Sequence, residues 1–68
     1  MKRTTEKRFT YALTFLYRET ENSEHKTERL IVDSTDPDGL NACEIAMLQY
    51  LTKHNYYSGR VKKYSVLL

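Results

Sequence analysis

The 68-residue sequence holds one cysteine, one proline, two glycines and no tryptophan. Each scarcity excludes something. A single cysteine rules out a disulfide within the chain and leaves no second thiol for a cysteine-rich metal site, which fits a cytoplasmic setting. Gly39 and Gly59 alone cannot build the glycine-rich loop that cradles phosphates. No run approaches the ~18 consecutive apolar residues that a membrane span requires. The amino-terminal stretch MKRTTEKRFTYALTFLYRE starts with basic residues, but threonines and tyrosines interrupt its apolar part and no small-residue cleavage site follows. The expectation is therefore no signal peptide. A net charge of +2 is too small to imply a polyanionic partner by itself.

What is present reads as a small globular protein. Hydrophobic residues at 40% and charged residues at 29% place the chain with neither disordered nor membrane-spanning sequences. At this length one domain is the maximum, and it buries only about 60% of the surface its unfolded chain exposes. Six tyrosines and two phenylalanines supply the aromatic content. Tyrosine serves cores and interfaces equally, because its ring buries area while its hydroxyl stays wet. Residues 1–7, MKRTTEK, are polar and unpatterned and read as a flexible basic tail; residues 8–68 read as the domain.

From Arg8 the pattern has period two. Phe9, Tyr11, Leu13, Phe15 and Tyr17 alternate with Thr10, Ala12, Thr14, Leu16 and Arg18, the signature of a half-buried strand. TENSEHK is a polar connection with no tight Asn-Gly turn, so a hairpin loop longer than two residues is expected. TERLIVDS forms a second strand, with Leu30 and Val32 on one face and Arg29 and Ile31 on the other. A helix follows. Asp36 is the expected cap with Pro37 at the first helical position, and Asp38 is the alternative cap. Its end is expected near Lys53 or His54, with Asn55 as a left-handed stop. YYSG then turns the chain into RVKKYSVLL, a third strand in which Tyr64, Val66 and Leu68 share one face and Lys63, Ser65 and Leu67 the other. Val61 is out of phase with Tyr64, which a bulge near Lys62 would resolve. The fold class is α+β, ββαβ: one helix packed on an antiparallel three-stranded sheet of order 2-1-3, the aromatic strand central.

The helix has more apolar residues than one stripe needs. At 100° per residue, Leu40, Cys43, Met47, Tyr50, Leu51 and His54 fall within an arc of about 100°, suited to the sheet. Ile45 and Leu48 fall outside it. Either the sheet edges, the tail or the Tyr56–Tyr57 turn covers them, or they form a second contact surface. The sheet face away from the helix poses the same question, because Leu16, Ile31 and Leu67 fall there among small polar residues and an edge strand is open to strand addition.

No catalytic constellation emerges. DSTDPDG resembles a calcium loop, but aligning Gly39 with that loop's glycine puts Ile45 where the bidentate glutamate belongs. His25, His54 and Cys43 do not combine into a nucleophilic or metal site. Arg60, Lys62 and Lys63, with Tyr56, Tyr57 and Tyr64 nearby, have the mixture of cations and aromatics that holds nucleic acid. Against this, Glu19, Glu21 and Glu24 are expected to approach those cations, and the basic tail to approach Asp33 and Asp36.

With the ββαβ order in hand, the segments NSEHKTERLIVDST, LNACEIAMLQY and the RVK of GRVKKY resemble the small T7-type phage inhibitors of bacterial RNA polymerase. These segments are spread over residues 22–62, a span of about two thirds of the domain, and make up under half of it themselves. The resemblance implies a non-enzymatic protein that blocks a host protein surface, with an arginine pair of the third strand and an acidic residue of the first hairpin facing the polymerase. By position those roles fall to Arg60, Lys62 and Glu21. The second arginine is lysine here, which loses the planar guanidinium fork, and the family's tryptophans are absent.

The expected function is that of a small non-enzymatic interaction module, encoded by a phage or mobile element, that docks on a larger host protein, with RNA polymerase the best single candidate. Its candidate contacts are Arg60, Lys62, Lys63, Glu21, Ile45 and Leu48; no catalytic, cofactor or metal residues are expected. The alternatives are a nucleic-acid-binding module that uses the third strand, and a homodimer that buries Ile45 and Leu48.

Overall fold

The computed structural model describes residues 7–67. Almost all of the expected basic tail, and Leu68, lie outside the described residues. The elements run β1 (Phe9–Arg18), β2 (Lys26–Ser34), α1 (Gly39–His54) and β3 (Ser58–Val66). They form an α+β fold with an open antiparallel sheet of order β2-β1-β3, as the pattern of the sequence predicts.

Alternation in β1 decides the layering. Tyr11, Leu13, Phe15 and Tyr17 all point to the helix side and are buried, the first three at no more than 1% exposure. Each such side chain stabilises the fold by roughly 1.5–3 kcal/mol through burial. Val32 of β2 and Ala42, Cys43, Met47 and Leu51 of α1 complete the core. An aromatic cluster closes its hairpin end: Tyr17 stacks on Tyr56 at 4.8 Å, and Tyr50 lies against Phe15 at 5.3 Å and His54 at 4.4 Å.

The bulge expected near Lys62 is present. Thr14 pairs with Lys63 but Phe15 pairs with Val61, so Lys62 is the extra residue. The insertion lets Val61 and Tyr64 share the helix side despite their three-residue spacing. β3 starts earlier than expected, because Ser58 and Gly59 pair with Arg18 and Tyr17 rather than forming a turn. Gly59 fits there for lack of a side chain: a Cβ would stand 2.9 Å from Leu51 Cδ1 and 3.0 Å from the Leu16 carbonyl oxygen.

The helix start corrects one expectation. Asp38, not Asp36, is the cap; its Oδ1 accepts from the Asn41 N–H at 3.2 Å. Asp36 is occupied one step earlier, accepting from the Asp38 N–H at 2.9 Å and from Asn41 Nδ2 at 2.6 Å, and Pro37 stands outside the helix. The helix ends as expected, at Asn55 with φ 56°, where Tyr56 N–H returns to the Leu51 carbonyl at 2.9 Å.

The buried helix stripe is also rotated from the expected arc. Leu40 is 45% exposed and His54 is exposed, while Gly39 and Ala42 are buried. Small residues let the first turn lie close on the sheet, against Tyr11 and Tyr64, and a leucine in their place would not fit.

Candidate protein-interaction surfaces

Directly opposed residues of an antiparallel sheet point to the same side. The register therefore assigns the uncovered face. One cross-strand row is Ile31, Ala12 and Ser65; the next is Arg29, Thr14 and Lys63; the next is Thr27, Leu16 and Arg60; Arg18 lies beside Ser58 at the hairpin end. The face is divided accordingly. One end carries Ile31 at 68% and Leu67 at 47% exposure. The other gathers Arg18, Arg29, Arg60 and Lys63 around small threonines.

These cations are not neutralised in the way the sequence suggests. Among the described residues the ion pair is Lys26 Nζ to Glu19 Oε1 at 3.2 Å, whose hydrogen bond raises the lysine pKa. Arg60, Lys62 and Lys63 make none with Glu19, Glu21 or Glu24. Glu19 bonds within its own hairpin because β2 begins at Lys26, directly across from Tyr17. The expected approach of the tail to Asp33 and Asp36 lies outside the described residues; Asp33 accepts from Thr10 Oγ1 at 2.8 Å. Arg18 places its guanidinium 5.1 Å from the ring centroid of Tyr57, and its Nε is buried without a hydrogen-bond partner.

The six candidate contacts separate into two groups. Arg60 and Lys63 lie on the uncovered sheet face, Lys62 at the bulge between them, and Glu21 in the connection that leaves β1 at the same end as Arg60. Ile45 and Leu48, 47% and 56% exposed, lie on the outer side of the helix, where they line a shallow apolar groove with Gln49, Thr52 and Lys53. The helix and the sheet stand between the two groups, so a flat partner surface meets one or the other. Arg18 was not singled out from the sequence, whereas Arg29 was expected on this face and Tyr57 beside the β3 cations. The period-two parity of the strands was the signal that places both arginines beside Arg60 and Lys63.

The tyrosines do not follow the cations. Tyr64 pairs with Leu13 on the helix side and meets Tyr11 edge-on at 6.1 Å, and Tyr56 is stacked into the aromatic cluster. Tyr57 alone accompanies the cationic face.

Other reactive groups are enclosed or dispersed. Cys43 is fully buried, and burial pushes its thiol pKa up. Tyr50 is pushed up to about 12 by burial and by its hydrogen bond to Glu28 Oε2 at 3.1 Å. Among the described residues no group of three or more His, Cys, Asp or Glu side chains is placed to hold a metal ion, and no helix is long and apolar enough to cross a membrane. No protein-family model, curated protein or solved structure matches the chain.

Proposed function

We propose that the chain is a non-enzymatic interaction module, of phage or mobile-element origin, that docks on a larger host protein through the β3 side of its uncovered sheet face and modulates or inhibits that protein. The observation that carries the reading is the cluster of Arg18, Arg60 and Lys63, with Lys62 beside it, facing outward with no carboxylate paired to it among the described residues. Cations placed this way steer an acidic protein surface into register, and they contribute most where docking expels water. Glu21 at the same end adds a charge of opposite sign, which discriminates among partners.

The resemblance to the T7-type inhibitors makes bacterial RNA polymerase the first partner to test. Co-elution with the purified polymerase and an in vitro transcription assay read binding and inhibition separately. The expected result is binding and reduced transcript with the natural chain, and loss of both in Arg60→Glu/Lys62→Glu with an unchanged melting temperature. Binding retained by that variant counts against the β3 surface; absence of binding by the natural chain removes the polymerase.

Single-stranded nucleic acid is the second reading, favoured by Arg18 lying over the exposed Tyr57 ring. It predicts affinity that falls steeply with salt and on Tyr57→Ala.

A further inference from the structure

Among the described residues, β2 has a bonded neighbour on one side only. Two hydrogen bonds set the phase of the ladder: Leu67 N–H to the Thr10 carbonyl at 2.8 Å, and Tyr57 N–H to the Arg18 carbonyl at 2.9 Å. Even-numbered residues of β1 thus turn their backbone groups toward β3, and odd-numbered ones toward β2. Through the β1–β2 register, Lys26, Glu28, Leu30, Val32 and Ser34 bond inward, and the N–H and C=O groups of Thr27, Arg29, Ile31 and Asp33 face the open edge. The Arg29 N–H agrees with this phase, since it donates to the Glu28 carboxylate at 2.9 Å rather than to β1.

The two sheet edges are guarded unequally. β3 carries a bulge at Lys62 and a run of cations, both of which discourage strand addition. β2 has no proline and no bulge, and its pairing with β1 is unbroken from Lys26 to Ser34. It also presents Ile31, the most exposed large hydrophobic side chain among the described residues.

We infer that β2 is a homodimerisation edge, pairing antiparallel with β2 of a second copy about a two-fold axis through Ile31. The sequence around that residue is self-complementary in this register. Ile31 meets its own copy, Arg29 meets the second copy's Asp33, and Asp33 meets the second copy's Arg29, all on the uncovered face and all among the residues whose backbone groups point outward. Centring the axis on Leu30 or Val32 instead opposes Ile31 to Arg29 or to Asp33 and loses both charge pairs. Asp33 is ready for this contact, because Thr10 engages Oδ1 and leaves Oδ2 for an arginine.

On the helix side the same axis sets half-buried Leu30 opposite Val32 of the second copy. The groove between β2 and α1, lined by Val32, Ala42, Ile45 and Ala46, then lies beside the junction. The axis is normal to the sheet, so both helices cover one face of a continuous six-stranded sheet. Glu28 gives up the Arg29 N–H to the new ladder and keeps its bond to Tyr50. β3 and its cations stay at the outer edges, and the inference stands apart from the docking reading above.

Sedimentation of the full chain tests it. The natural protein is expected at twice the chain mass. Arg29→Asp or Asp33→Arg alone sets like charges across both pairs and weakens the dimer on the order of ten-fold or more. An equimolar mixture of those two variants restores it, because one chain then offers both arginines and the other both aspartates. Ile31→Pro removes an outward N–H without touching the β1 ladder and is expected to be a folded monomer. A natural chain that stays monomeric at millimolar concentration overturns the inference. So does a dimer unaffected by the charge variants but dissociated by Leu48→Asp, which assigns the contact to the helix.

Discussion

Gly39→Ala tests why the helix sits where it does. Gly39 does not have positive φ, so its value lies in space rather than in backbone freedom. A Cβ there would stand 2.5 Å from Tyr64 Cε2 and 2.9 Å from Tyr11 Cε1. The two rings differ in their ability to yield. Tyr64 is 41% exposed and swings outward at small cost. Tyr11 is 1% exposed and its hydroxyl donates to the Asp36 carbonyl at 2.8 Å, so moving it strains the loop that leads into the helix. Overpacking of this kind costs about 1–3 kcal/mol. Alanine returns at most about 1 kcal/mol of helix propensity, and less at the first helical position than inside. The net is a destabilisation of about 1–2 kcal/mol, which lowers the melting temperature of a domain this size by roughly 4–15 °C. Thermal unfolding followed by far-UV circular dichroism reads it. In a Tyr64→Ala background the loss shrinks but persists, since Tyr11 remains. A melting temperature that stays level or rises in the single variant would refute the argument that close approach places this turn.

Asn55→Ala keeps a β-carbon at φ 56° but removes the carboxamide that lets asparagine tolerate the left-handed region, and is expected to cost about 1 kcal/mol, read as a lowered urea midpoint; Asn55→Gly is expected to be neutral or better. Asp36 has its pKa lowered by the Asn41 amide and then by the Asp38 N–H, so its contribution is present above the usual aspartate range and is lost as pH falls through the folded value. Asn41→Ala should flatten that acid limb of a stability-against-pH curve. Tyr50 works in the other direction: raised from 10.0 to about 12, it holds its stabilisation below pH 10 and loses it on the way to about 12, a loss that Tyr50→Phe should diminish in an alkaline titration. Cys43, buried and with its pKa raised by that burial, should react with a thiol reagent only at the rate of unfolding, and rapid labelling in native buffer would contradict its place in the core.

The elements were legible because each has a strong local signal. β1 alternates without a break from Phe9 to Arg18, the helix has an aspartate before it and an asparagine after it, and the out-of-phase Val61 and Tyr64 announce the bulge at Lys62. These are short-range properties, decided by pleat, dihedral and cap geometry. The choice between Asp36 and Asp38 was not legible, because both carry the same chemistry and their roles depend on which amide each one reaches. The burial of Ala42 in place of Leu40 was equally hidden, since it follows from the depth at which Gly39 lets the helix meet Tyr11 and Tyr64. The charge pairs misled for a similar reason: proximity along a hairpin end does not say which carboxylate a lysine will take, and Glu19 took Lys26.

For the candidate surfaces the same division holds. Sequence alone determined that Ile45 and Leu48 lie off the main apolar stripe of the helix and that Arg60 and Lys63 belong to a strand, because periodicity is a property of the chain. Only the tertiary structure decided that these two groups face opposite ways, that Arg18 lies over Tyr57, and that the hairpin carboxylates leave Arg60 and Lys63 unpaired among the described residues. Those facts depend on which strands become neighbours and which face the helix covers, and contacts between residues distant in sequence settle both.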